Sequence, residues 1–163
     1  MRSIALPDLE SAISQAEQVF RTSSSSEHIT IVIDGIDCLL ALNPSLGATQ
    51  VLALLTDIQS RVRNLIVTCS ADSALLHNIE PGSTPIEVEG STLVRSLAHQ
   101  AGWVFACRPL ETGAARDVSG IIRVSRGGGD SSDDEEGGGS LEDGEWLYQL
   151  KGHGSVRVWS RGE

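Results

Sequence analysis

Lysine is nearly absent: the 163 residues contain one, Lys151, in the string KGHG near the end of the chain. A working phosphate loop reads GxxxxGK[ST], because its backbone amides cradle the phosphates and its lysine neutralises them. That string does not occur. Gly127 to Gly129 and Gly137 to Gly139 flank an acidic run that repels a triphosphate, and they read as a solvated linker. No CxxC or HxxxH pair occurs among Cys38, Cys69, Cys107, His28, His77, His99 and His153, so zinc-type ligand spacing is missing. There is no GxSxG string to support a nucleophilic serine. No apolar run approaches the ~18 residues of a membrane span. The first residues, MRSIALPDLESAISQ, lack the apolar centre of a secretory signal.

Aromatic residues make up 4% of the chain against 40% hydrophobic residues, so aliphatic side chains must build the core. Length and composition allow one globular domain over 1–163. The three cysteines lie in apolar stretches and read as buried, reduced thiols of a cytosolic or nuclear protein. The formal charge of -10 is concentrated: eight acids and no base fall between Asp130 and Glu145. The remainder carries 14 acids against 12 bases. Global charge therefore neither favours nor excludes nucleic acid. The stretch 127–145, GGGDSSDDEEGGGSLEDGE, reads as a disordered acidic loop.

Patterning predicts alternating helices and strands. Leu9, Ile13, Ala16 and Phe20 recur at helical spacing behind Pro7. A short break follows at Ser23 to Ser26. Ile29 to Ile33 is a continuous apolar strand of the kind covered on both faces. A short helix begins at Ile36 and stops at Asn43-Pro44; Leu46 to Val62 is another helix. Leu65 to Cys69 is a second strand, Ala71 to His77 a short helix. Ser91 is expected to cap a helix that Gly102 ends. Trp103 to Cys107 is a third strand. Strands spaced by helices imply a mostly parallel α/β sheet. Gly120 to Ser125 and a hairpin of Trp146 to Leu150 with Val156 to Trp159 extend it in antiparallel fashion.

The stretch IVIDGID raises the chemical question. In nucleotide-hydrolysing α/β folds, a buried strand ending in an acid polarises a magnesium-bound nucleotide. Asp34 and Asp37 fit that pattern, and equally fit a helix cap or a carboxylate that closes a turn. Arg108, Arg116, Arg123, Arg126 and Arg157 follow the third strand and are candidates for RNA phosphate contact. Solvated arginines, or a pair such as Arg116 with Asp117, explain them equally.

The order of strings is more specific than any one of them. IVIDGIDCLLAL is followed by NLIVTCSAD, LAHQA (Leu97 to Ala101), the TGxxxDVxG string (Thr112 to Gly120) and SVRVWxRG. Taken in order from Ile31 to Gly162, the set resembles the family of the sixth Elongator subunit, RecA-like (P-loop NTPase-like) proteins without a Walker A motif. The resemblance implies a RecA-like domain shortened at its N-terminus, lacking its first strands. It implies a non-catalytic subunit with no cofactor and no membrane partner, in the cytoplasm and also the nucleus. Its partners would be the fourth and fifth Elongator subunits, in a heterohexameric ring that binds tRNA and joins the catalytic subcomplex modifying the wobble uridine. Asp34 and Asp37 would be a degenerate Walker B remnant. His99, Gln100, Arg116 and Asp117 would be subunit-interface candidates. The competing reading is an active RecA-like NTPase cut short before its phosphate loop.

Overall fold

The computed structural model describes residues 6–23, 29–72, 82–110, 117–129 and 142–160. The chain divides into two compact units, Met1–Leu97 and Ala98–Glu163, where the sequence reading treats it as one domain. Their elements run in the order α1 (Leu6–Ser23), β1 (Thr30–Ile33), α2 (Cys38–Leu42), α3 (Ala48–Arg61), β2 (Asn64–Val67), α4 (Pro85–Gln100), β3 (Trp103–Arg108), β4 (Gly120–Arg126), β5 (Gly144–Leu150) and β6 (Val156–Ser160). Most of the expected Ala71–His77 helix and of the Ser23–Ser26 break lies outside the described residues.

In the first unit, β1 and β2 pair in parallel, with Thr30 opposite Asn64 and Ile33 opposite Val67. Ile31, Ile33, Leu65 and Val67 pack on a core of Ile13, Ile36, Leu39, Leu40, Val51, Leu54, Leu55, Ile58 and Leu93. The expectation of strands covered on both faces does not hold. Val32 and Ile66, on the opposite face, are 61% and 51% exposed. Period-two alternation puts Ile31 and Ile33 on one side and Val32 on the other, and the helical layer covers one side. Leu9 and Ile13 of α1 reach the core, whereas Ala16 is exposed. The Phe20 side chain lies outside the described residues.

Helix starts follow rules that spacing alone hid. α4 begins six residues before the expected cap at Ser91. Its first turn is Thr84-Pro85-Ile86-Glu87, a capping box with proline at the first helical position. The Thr84 amide and hydroxyl donate to Glu87 Oε2 at 2.6 and 2.8 Å, and the Glu87 amide returns a 3.4 Å bond to Thr84 Oγ1. Ser91 is instead buried within the helix, and its hydroxyl has no hydrogen-bond partner. At α3, Gln50 Oε1 accepts from the Gly47 amide at 3.0 Å. Glu89 of α4 reaches over to accept from the Ala48 amide at 2.6 Å.

The second unit corrects the expected sheet. Trp103 to Arg108 is not a third parallel strand: β3-β4-β5-β6 is a separate antiparallel sheet in simple sequential order. The sheet content is therefore one parallel pair and one larger antiparallel sheet, rather than a mostly parallel sheet ending in a hairpin. The hairpin itself is present. The Lys151 amide donates to Ser155 O and the Gly154 amide to Lys151 O, both at 2.9 Å, with Gly154 at a φ of 76° that favours glycine.

The loop expected over 127–145 is narrower at both ends. Gly144 and Glu145 belong to β5, and the Arg126 amide donates to Asp143 Oδ1 at 3.0 Å. Gly127 to Gly129 hydrogen-bond to the end of α4. The Gly127 amide donates to Gly102 O, that of Gly128 to Ala98 O and that of Gly129 to Ala101 O, at 2.9 to 3.2 Å. The bond to Ala98 O satisfies a carbonyl that the helix end leaves open, and the other two hold the residues just past it. A Cβ on Gly128 would stand 2.6 Å from His99 O, so the close backbone approach explains the glycines. Residues 130–141 lie outside the described residues.

Candidate functional site

The strand-end acids sit where β1 and β2 finish side by side. Thr68, just past β2, donates its hydroxyl to Asp34 Oδ1 and accepts from the Gly35 amide at 2.9 Å. The Ile36 amide donates to Thr68 O at 3.0 Å, and the Thr68 amide to Ile33 O at 2.9 Å. Gly35, at a φ of 68°, supplies the left-handed residue this turn needs. Asp37 stands at the start of α2 but makes no side-chain cap there; it accepts from the Ser70 amide at 3.2 Å. Both carboxylates thus tie the β1 exit to the β2 exit. This is the carboxyl end of a parallel pair, the edge where open α/β sheets place ligands. Thr68 and Ser70 are the partners sequence reasoning missed; their place in VTCSAD, directly after the second strand, is the only signal they gave.

The thiols depart from the sequence reading. Cys38 and Cys107 are exposed and Cys69 is half-buried, rather than all three being buried. Burial, and then the Asp37 carboxylate, push the Cys69 thiol above its ordinary range, which keeps it protonated. Among the described residues no group of three or more His, Cys, Asp or Glu could hold a metal.

In the second unit, the register sorts the arginines by face. Residues opposite one another across an antiparallel pair share a face. Arg123 lies opposite both Ala106 and Glu145, and Gln149 opposite Arg157. Arg108, Arg123 and Arg157 therefore share one face with Glu145, Gln149 and Trp159. Arg126 lies on the other face, opposite Trp103, with its guanidinium carbon 5.1 Å from the indole centre. That second face also carries Phe105, Leu150, Val156 and Val158, all exposed, beside Tyr148 and Ser160. Arg108 is engaged by Glu145 at 2.7 Å, and Arg157 lies 5.3 Å from the centre of the Trp159 ring. Arg116 lies outside the described residues. His99 and Gln100 are exposed at the end of α4, where the backbone receives the glycine run.

Asp117 is held beside the end of β5. The Ser119 amide donates to Tyr148 O at 2.8 Å, and Ser119 Oγ accepts from the Leu150 amide at 2.9 Å. A hollow of about 360 Å³ is lined there by Asp117, Gln149, Arg157 and Trp159. Gln149 and Trp159 were not singled out as site residues from sequence.

These features describe an α/β chain with an acid-tipped parallel pair and a separate antiparallel sheet bearing arginines on one face. No family model matches it. The chain is similar to the Elongator complex protein 6 homolog of Schizosaccharomyces pombe, with 26% identity over 137 residues. The match covers 84% of this chain and 49% of that relative, so the chain spans about half the relative's length. Among the described residues, no helix is long and apolar enough to cross a membrane.

Proposed function

We propose that this chain is a non-catalytic, RecA-like subunit of an Elongator complex. It assembles with the fourth and fifth subunits into a heterohexameric ring that binds tRNA and supports wobble-uridine modification by the catalytic subcomplex. The observation that carries this reading is the similarity over most of the chain to an Elongator subunit homolog. Two features of the molecule support it. Large apolar side chains stay exposed on both sheets, including Val32, Ile66, Phe105 and Val158, as in a chain that works inside an assembly. The Asp34 carboxylate is already engaged by Thr68, which fits a turn-closing role better than metal or water activation.

The non-catalytic part is tested at Asp34. Asp34→Asn retains an oxygen that can accept from Thr68 and removes the negative charge that a magnesium-bound nucleotide would need. Rings assembled with this variant are expected to hydrolyse ATP within about twofold of the unaltered ring. A loss of about tenfold or more, equivalent to ~1.4 kcal/mol on the barrier, would instead support an active NTPase.

A further inference from the structure

We propose that the hollow lined by Asp117, Gln149, Arg157 and Trp159 is a binding site for a guanine base. Its residues come from three stretches of the chain, TGxxxDVxG, EWLYQL and SVRVW, and the sheet brings them together. Gln149 is set opposite Arg157 by the β5–β6 register, and Leu147 opposite Trp159. Ser119, two residues after Asp117, is tied to β5 by two hydrogen bonds, which keeps this segment beside the strand. The volume, about 360 Å³, lies at the small end of the ~300–1,000 Å³ range of ligand pockets.

The chemistry selects the ligand. Arg157 lies over the Trp159 indole, and an unpaired base stacks on the outer face of such a guanidinium–indole pair. Asp117, when ionised, only accepts hydrogen bonds, whereas Gln149 both donates and accepts. Guanine alone among the four RNA bases presents two adjacent donors, N1–H and the N2 amine, which match a carboxylate. Its O6 acceptor matches the amide donor of Gln149. Adenine and cytosine each place a ring-nitrogen acceptor beside their exocyclic amine, and uracil flanks its single donor with two carbonyls. A phosphate in the hollow would meet the Asp117 charge, so the site suits a base rather than the backbone. Arg123, exposed on the same face, supplies positive charge for a neighbouring phosphate.

The inference rests on the reading that this chain works on RNA, but the same chemistry would also take a free guanine nucleotide. The test is fluorescence anisotropy of the full chain with labelled uridine oligonucleotides carrying one central guanosine or one central adenosine, with GMP as competitor. The guanosine strand is expected to bind about fivefold or more tightly than the adenosine strand. Asp117→Asn should abolish that preference while leaving the circular dichroism spectrum unchanged. Trp159→Phe should weaken both strands while keeping the preference. Displacement by GMP would show that the base is taken from a free nucleotide; failure of GMP to displace would show that it is taken within a strand. Equal binding of the two strands, or a preference that survives Asp117→Asn, overturns the site. So does a result in which Asp117→Asn spares RNA but disrupts association with the partner subunits, which would make the hollow a protein contact and leave the ring reading intact. An Asp117-dependent preference in a chain that does not join those subunits would keep the site and remove the ring reading.

Discussion

Among the described residues of the first unit, Ser91 is the polar side chain buried in the core, 2% exposed and with an unpartnered hydroxyl. A buried hydroxyl without a partner costs free energy that a methyl group does not, and alanine is also the better helix former. Ser91→Ala is therefore expected to stabilise the chain by about 1 kcal/mol, read as a higher urea midpoint at unchanged slope. A cap serine would behave oppositely, losing about 1 kcal/mol on the same change. The sign of one substitution thus separates the two placements of this residue. At the same scale, Asp34 was legible as an acid ending a strand, but its role was not. A carboxylate that bonds across to Thr68 depends on which strands are neighbours, and that pairing is not written locally. Asp117 is legible as a partner for Arg116 and through the TGxxxDVxG string, while Trp159 and Gln149 enter the site only through the β5–β6 register.

At the scale of elements, strong local signals survived folding and pairing did not. The helices over Leu46–Val62 and before Gly102, and the hairpin around Gly152-His153-Gly154, carry periodicity or turn chemistry in the sequence, and each appears in the structure. Trp103 to Cys107 reads as a strand of the parallel sheet because a helix precedes it and the run is apolar throughout. An apolar run fits either face, however, and β3 pairs with the strand that follows it instead. The start of α4 is written in the sequence as Thr-Pro-Ile-Glu, although Ser91 stands nearer the apolar stripe. That capping box gives a pH prediction. Bonds from the Thr84 amide, and then from its hydroxyl, hold Glu87 below the usual carboxylate range. A lowered folded pKa means the contribution is fully present above the ordinary value, about 4.3, and is lost as pH falls through the folded value. The urea midpoints of the unaltered chain and Glu87→Gln should therefore differ at pH 7 and draw together progressively as the pH falls below about 4.3. A difference that persists unchanged at pH 3 would show that the carboxylate charge is not what holds the cap.

At the scale of the molecule, composition gave the acidic segment but not its anchors. Asp143 bonds back to Arg126 and Gly127 to Gly129 close the end of α4, so the two ends of the segment are held by structure. Replacing 130–141 with a short glycine-serine link is expected to leave the melting temperature within a few degrees. Extending the deletion to 127–142 strips the glycines from the helix end and should lower it by about 4 °C or more, the shift that ~1–2 kcal/mol produces in a domain of this size. Equal melting of both deletions would show that the glycine contacts carry no stability. The exposed faces of the two sheets belong to the same scale, since the account assigns the chain a place inside an assembly. The measurement that tests this most directly is native mass spectrometry of the chain co-expressed with the fourth and fifth Elongator subunits. The account predicts a hexamer-sized complex with two copies of this chain. A mixture in which the chain appears only alone, while the other two subunits associate without it, would contradict the account.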